Sequence, residues 1–342
     1  MRIESQAPTR VDLAGGTLDI WPLYLQHAGA VTVNAAITRY ARVVLTPQRG
    51  RRITLVSRDT RRSESFASLA SLENAGLKPG ATRAFKLPLL AHLVRFFQPR
   101  SGFRLTTDSE APAGAGIGGS SAMAVAICAA FDRWLHLGLS RVEWIHLARD
   151  AEATVIVVPT GTQDHYPPAF GGACVIHLAP GAERLERLRV NLNELDRRIL
   201  VCYTGKPRQS GINNWEVFKA HIEGDRRVWR NIERISQVAQ AMRTALERER
   251  WVEAARLMRE EWSFRRRNLP TISTPVIDRI MSAALRNGAM AGKVCGAGGG
   301  GCMVFLIEPD ARGRVEAAVA AAGGEVLPSK IDRRGVLTRV VK

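Results

Sequence analysis

Two glycine-dense segments carry the residue types best suited to chemistry. The first runs Pro112-Ala113-Gly114-Ala115-Gly116-Ile117-Gly118-Gly119-Ser120-Ser121-Ala122. Glycines let a backbone turn its N–H groups inward and approach an anion closely. A helix that begins at such a loop adds unpaired N–H groups and the positive end of its dipole. Ser120 and Ser121 bring hydroxyls that could hold the Mg²⁺ accompanying a triphosphate. A plain tight turn would use the same residues. The run is neither a Walker A loop, which ends Gly-Lys-Ser/Thr, nor a dinucleotide fingerprint, since no acidic ribose partner stands at the required spacing. The second segment, Lys293 to Cys302, holds five glycines in the six residues from Gly296 to Gly301 and leads into an apolar strand. It reads either as a flexible loop or as a loop packed against the first, where side chains would collide with a ligand or a neighbouring backbone.

The elements that must position these loops follow from periodicity. Gly102–Ser109 alternates as a half-buried strand, and the first glycine run leads into a small-residue helix over about Ser121–His136. Ser140 followed by Glu143 is a capping box, so a helix starts there with Trp144, Leu147, Ala148 and Ala151 on one face. Tyr40–Thr46 and Ile53–Ser57 read as a hairpin across a Pro-Gln-Arg-Gly-Arg-Arg link. Ala173–Leu178 and Ile199–Tyr203 read as strands, and the polar stretch between them suits a domain junction. Helical tracts are expected over Asn214–Arg248, Trp251–Arg266 and Thr274–Asn287, followed by the strand Cys302–Ile307 and a closing helix and strand.

Composition sets the outer limits. The chain has 342 residues, 46% hydrophobic and 24% charged, as in a soluble globular protein of one or two domains. The net charge is +17, and of 49 basic residues only seven are lysine. Such charge favours anionic partners. It is spread along the chain, however, and in Asp225–Arg267 it alternates with Glu233, Glu247, Glu249, Glu253, Glu260 and Glu261, as on a solvated helical face. Aromatics are only 6%, too few for the interleaved cations and rings of a nucleic-acid-binding sheet. The five scattered cysteines lack zinc spacing and fit a reducing compartment. Met1–Arg10 has no apolar leader, so the cytoplasm is the expected location. Ala111–Phe131 is uncharged over 21 residues, but its turn-forming first half argues for a loop and a buried helix rather than a membrane span.

Together the segments resemble the GHMP kinases, the superfamily of galactokinase, homoserine kinase, mevalonate kinase and phosphomevalonate kinase. Three motifs stand in the family's order: Ala7–Asp19 with Arg10, Gly15, Gly16, Thr17 and Asp19; Pro112–Ala122; and Lys293–Cys302. Gly161-Thr-Gln-Asp164-His-Tyr166, Gly29–Ile37 and Tyr203–Arg208 are similar to the heptose-7-phosphate kinase branch. The sugar-side motif departs from that branch in Leu18 and Trp21, and Thr162 stands where a lysine is common.

The resemblance implies an α+β fold of two domains. Residues 1–182 would form an N-terminal ATP-binding domain with a left-handed βαβ crossover, and residues 183–342 a C-terminal ferredoxin-like domain with extra helices, the site lying between them. It implies a kinase that uses ATP and Mg²⁺ to phosphorylate a hydroxyl, expected to be the anomeric one, of a sugar or sugar phosphate. Asp164 would take or orient the hydroxyl proton, and Arg10 would hold Asp164 ionised and stabilise the transferring group. Pro112 to Ala122 (without Ala113) would bind ATP, and Ser120 with Glu152 the metal. Glu152 lies twelve residues before Asp164. Asp19, Gly16, Thr17, Gly298 and Gly299 would contact the acceptor, with Leu18 and Trp21 lining its pocket. Lys206 and Arg208 could take a substrate phosphate. The other readings are a kinase for a non-sugar alcohol such as a mevalonate-type acid, and a catalytically silent sugar sensor or nucleic-acid binder. A monomer or homodimer is expected, with no membrane partner.

Overall fold

A computed structural model describes residues 1–76, 85–157, 160–208 and 210–342. The strands are β1 (Arg2–Ala14), β2 (Val31–Pro47), β3 (Ile53–Ser57), β4 (Arg62–Phe66), β5 (Phe103–Ser109), β6 (Ala173–Ala179), β7 (Ala182–Arg187), β8 (Ile199–Tyr203), β9 (Ala289–Val294), β10 (Cys302–Ile307), β11 (Glu325–Val326) and β12 (Leu337–Val341). The helices are α1 (Leu69–Gly76), α2 (Pro88–Phe97), α3 (Gly119–Leu135), α4 (Arg141–Ile156), α5 (Tyr166–Phe170), α6 (Leu192–Arg198), α7 (Ser210–Ile222), α8 (Arg226–Glu247), α9 (Trp251–Asn268), α10 (Pro275–Arg286) and α11 (Arg312–Ala321).

The larger sheet has the order β12-β1-β2-β5-β3-β4, with β6 on β2 and β7 on β6. The two long strands β1 and β2 pass through both main cores. Ile3, Ala7 and Leu45 pack with α2 and α3, whereas Val11, Leu13 and Val33 pack with α8, α9 and the second sheet. The second sheet is antiparallel in the order β11-β8-β10-β9, which is 4-1-3-2 in its own count, the ferredoxin-like arrangement. Helices α10 and α11 cover one face through Ile277, Ile280, Val315 and Val319. The other face meets α8 and α9.

Local chemistry explains the helix starts. Ser140 Oγ accepts from the Glu143 N–H at 3.3 Å while Glu143 Oε2 accepts from the Ser140 N–H at 2.7 Å, closing the expected capping box. Gly118, at φ 71°, begins α3 in a left-handed conformation that a β-carbon would strain. Among the described residues no helix is long and apolar enough to cross a membrane.

Three expectations are corrected. β2 and β3 do not form a hairpin: β5 lies between them, antiparallel to β2 and parallel to β3, so β3 and β5 are joined by a crossover through β4 and α2. The tract Asn214–Arg248 is two helices, because Gly224, at φ 83°, ends the first and Asp225 caps the second by accepting from the Arg227 and Val228 N–H groups. The polar stretch after Leu178 is no bare junction but β7, paired with β6 in the larger sheet.

Candidate active site

Arg10, on β1, stands at the centre of the site and is fully buried. Its backbone N–H donates to Ile117 O at 2.9 Å, which ties β1 to the first glycine loop. Its Nε and Nη2 donate to Asp164 Oδ1 at 2.8 and 2.5 Å, and its Nη1 donates to Gly116 O at 2.9 Å. Burial opposes the charge of Arg10, but Asp164 and Asp12 outweigh it and hold the guanidinium above the usual arginine range. The expected Arg10–Asp164 pair is therefore assembled, across 154 residues of sequence.

Glu152, one turn before the end of α4, accepts from Ser120 Oγ and, at 2.7 Å, from Ser121 Oγ. His165 Nε2 lies 3.1 Å from its Oε2. Burial pushes this carboxyl up, but the interaction with His165 and the two serine hydroxyls hold it at about 2. An ionised carboxylate touching a hydroxyl at the start of α3 fits Mg²⁺, which needs only one or two protein oxygens beside phosphate oxygens and water.

Asp19 is 4% exposed, and its Oδ2 accepts the Gln163 N–H at 2.9 Å. Burial pushes its carboxyl up to about 6. Gly161 faces it so closely that a Cβ there would stand 1.8 Å from Asp19 Oδ2.

Two cavities meet at these residues. A cleft of ≈ 410 Å³ runs along the glycine loop from Pro112 to Ser120, with Arg62 and Lys86 adding cations and Leu87, Pro88 and Met123 an apolar wall. A smaller cavity of ≈ 120 Å³ is lined by Arg10, Gly16, Thr17, Asp19, Glu152 and Gly296, among others. Ser120, Asp164 and Arg208 line both. The Arg208 guanidinium has no carboxylate within 4 Å among the described residues, and burial lowers its pKa. It stands where the two cavities join, whereas Lys206 is exposed and its carbonyl accepts the Gly301 N–H.

The second glycine run packs on the first, the second of the two readings of that segment. Cys302 N–H donates to Ala115 O at 2.6 Å, and a Cβ at Gly116, at φ 76°, would stand 2.7 Å from Cys295 O. Several expected residues take other places. Gly298 and Gly299 lie against Ile272 rather than the acceptor cavity, and Gly296 lines the cavity instead. Ile117, Ser121 and Ala122 are buried behind the loop rather than along the cleft. Leu18 is wholly buried in the core. Trp21 is 63% exposed and borders an adjoining cavity of ≈ 470 Å³ that shares Asp19.

Sequence reading missed a buried ionic cluster behind Arg10. Lys293 Nζ lies 2.8 Å from Asp12 Oδ2 and donates to Glu261 Oε1 at 2.7 Å, and Arg265 Nη1 is 3.8 Å from Asp12 Oδ2. Glu261, assigned above to a solvated face, is fully buried. The overlooked signal is its spacing: Glu261 and Arg265 follow Leu257 at intervals of four on the face of α9 that carries Ala254 and Met258.

Comparison with known proteins agrees with this geometry. Models of the GHMP kinase N-terminal and C-terminal domains match residues 82–172 and 242–325. The chain is 30% identical over 339 residues to a D-glycero-alpha-D-manno-heptose 7-phosphate kinase of Campylobacter jejuni, covering 98% of each chain. It is also 30% identical to a mevalonate kinase of Thermococcus onnurineus, over 69% of each chain. A crystal structure of a D-glycero-D-manno-heptose 1-phosphate kinase from Bacteriodes thetaiotaomicron superimposes with a TM-score of 0.78 at 27% identity, over 99% of each chain. Lactococcus lactis galactokinase, at 16% identity, shares the fold with a TM-score of 0.80 over 98% of this chain and 95% of its own. The chain belongs to the GHMP kinases, and is a phosphotransferase of that family that uses ATP.

Proposed function

We propose that this protein transfers the γ-phosphoryl group of ATP to a sugar or sugar-phosphate hydroxyl, the anomeric one being the best candidate. The observation that carries the reading is the junction of the two cavities at Ser120, Asp164 and Arg208. ATP lies along Pro112–Ser120 with its phosphates toward that junction, where the loop backbone and the start of α3 favour negative charge. The acceptor sits over Gly16, Thr17 and Asp19, which takes hydroxyl hydrogen bonds on its carboxylate.

Arg10 spends both its contacts to Asp164 on Oδ1. That leaves Oδ2 to receive the acceptor's proton as the oxygen attacks phosphorus. Arg208, with no carboxylate partner among the described residues, faces the charge that builds on the transferring group. Ser120 and Glu152 would hold Mg²⁺, which would neutralise charge on the phosphate oxygens. Positioning and electrostatics supply the catalysis, as this reaction requires little else of a protein.

The acceptor class is supported by the heptose phosphate kinase relatives and by the sugar-side motif. A mevalonate-type acid is the second reading, favoured by the mevalonate kinase similarity alone. A two-domain division, set after β7 rather than at 182/183 because β7 pairs with β6 in the larger sheet, a cytoplasmic location and a monomeric or homodimeric state remain part of the proposal; all five cysteines are free and buried, as a reducing compartment allows. ADP release screened against sugars, sugar 1-, 6- and 7-phosphates and mevalonate tests the reading. Stimulation by a sugar or sugar phosphate is the expected result, and stimulation by mevalonate alone overturns it.

A further inference from the structure

The ionic cluster behind Arg10 is costly and joins two halves of the chain. Arg10 and Asp12 are two apart on β1 and so project from the same side of the strand. Asp12 is wholly buried and serves as a hub. Its Oδ1 lies 3.6 Å from Arg10 Nη1 and accepts the Gly296 N–H at 3.3 Å. Its Oδ2 meets Lys293 of β9 at 2.8 Å and faces Arg265 of α9. Lys293 in turn holds Glu261 of α9. Arg265 also donates to Val294 O at 3.2 Å and to Gly296 O, shaping the turn that lines the acceptor cavity.

The charges balance. Arg10, Lys293 and Arg265 face Asp12, Glu261 and Asp164, and the first five are almost wholly buried. Burial pushes the Asp12 carboxyl up, but Lys293, Arg10 and Arg265 hold it at about 2. Buried ion pairs of this kind rarely stabilise a fold better than apolar side chains of the same volume would. What the cluster does supply is direction. Gly116 O and Asp12 Oδ1 both face Arg10 Nη1, at 2.9 and 3.6 Å, which leaves Nε and Nη2 turned toward Asp164, and Lys293 and Arg265 in turn hold Asp12 in place.

We propose that Lys293, Asp12 and Glu261 are positioning residues for phosphoryl transfer: they lock Arg10 in the orientation that presents Asp164 to the acceptor, and they make that orientation depend on β9 and α9 of the C-terminal half. The proposal rests on Asp164 receiving the acceptor proton. None of the three lines the nucleotide cleft or the acceptor cavity. They act on the rate of transfer rather than on ATP binding.

A kinetic double-mutant cycle tests this in the full-length enzyme. Lys293→Met is made alone, and with Asp164→Asn. The single change should lower kcat about ten-fold or more, since small misplacements of a catalytic pair are expensive, and leave KM for ATP within about two-fold. In the Asp164→Asn background the same change should cost less than about two-fold, because residues acting through one another are not additive. Equal losses in both backgrounds would overturn the positioning role, for that is what a merely structural lysine gives. Should Lys293→Met fail to fold, Glu261→Gln, which removes one charge and keeps the shape, runs the same cycle with the same two outcomes. Native turnover in Asp164→Asn alone would overturn the parent reading and the positioning role together, whereas additive losses on an impaired Asp164→Asn overturn only the latter.

Discussion

Replacing Asp19 by asparagine should stabilise the protein at neutral pH while damaging its acceptor site. Asp19 is 4% exposed, and burial raises its carboxyl from 3.8 to about 6. A folded state that binds a proton more tightly than the unfolded chain loses stability as pH rises between those two values. The cost is absent below about pH 4, grows through pH 5 and is complete above about pH 6. At ~1.4 kcal/mol per pH unit the gap corresponds to about 3 kcal/mol. Asparagine carries no charge, fits the same volume and can still accept the Gln163 N–H through its amide oxygen. Thermal melts at pH 4 and pH 7.5 read the difference. The variant should match the native protein at pH 4 and melt about 5 °C higher at pH 7.5, while the acceptor KM at pH 7.5 rises about ten-fold or more. The same carboxylate should make kcat/KM for the acceptor fall as pH drops through about 6. A variant that is equally or less stable at pH 7.5, with no change in the gap between the two pH values, would refute the reasoning. It would mean that Asp19 is ionised at no cost, solvated or paired in a way this geometry does not contain.

Other perturbations address the remaining parts of the site. Glu152→Gln and Ser120→Ala should each raise the Mg²⁺ concentration for half-maximal activity, by about five-fold or more, in a metal titration at saturating ATP. Gly161→Ala places a methyl 1.8 Å from Asp19 Oδ2, so the acceptor KM should rise about ten-fold with the ATP KM nearly unchanged in steady-state kinetics. Arg208→Met should lower kcat about a hundred-fold, as loss of one charge-stabilising donor does, with little change in protein stability by thermal melt.

The elements were legible wherever local chemistry fixes them. The Ser140–Glu143 capping box, the helix after the glycine loop and the strands β5, β6, β8 and β10 stand within a few residues of expectation. Where pairing depends on distant chain, periodicity carried no information. Nothing in Tyr40–Ser57 says that Phe103–Ser109 will insert between its two strands. Motif order brought Arg10, Asp164, Ser120 and Glu152 to one place correctly, because those residues act on one another directly. Gly298 and Gly299 belong to the same motif, but pack on Ile272. The Asp12–Lys293–Glu261 chain was invisible for a different reason. A charged residue on a charged helix reads as solvated until its partner, 32 residues on in the case of Glu261 and Lys293, is known to be buried beside it.

The most direct test of the central claim is ³¹P NMR of the product formed from ATP and the best acceptor of the ADP-release screen, run with native enzyme and with Asp164→Asn. The expected product is a new phosphoester on a sugar hydroxyl, coupled to the anomeric proton, with the rate of its appearance cut about a hundred-fold or more in the variant. A product phosphorylated on a non-sugar alcohol, or an Asp164→Asn enzyme that forms the phosphoester as fast as the native one, would contradict it.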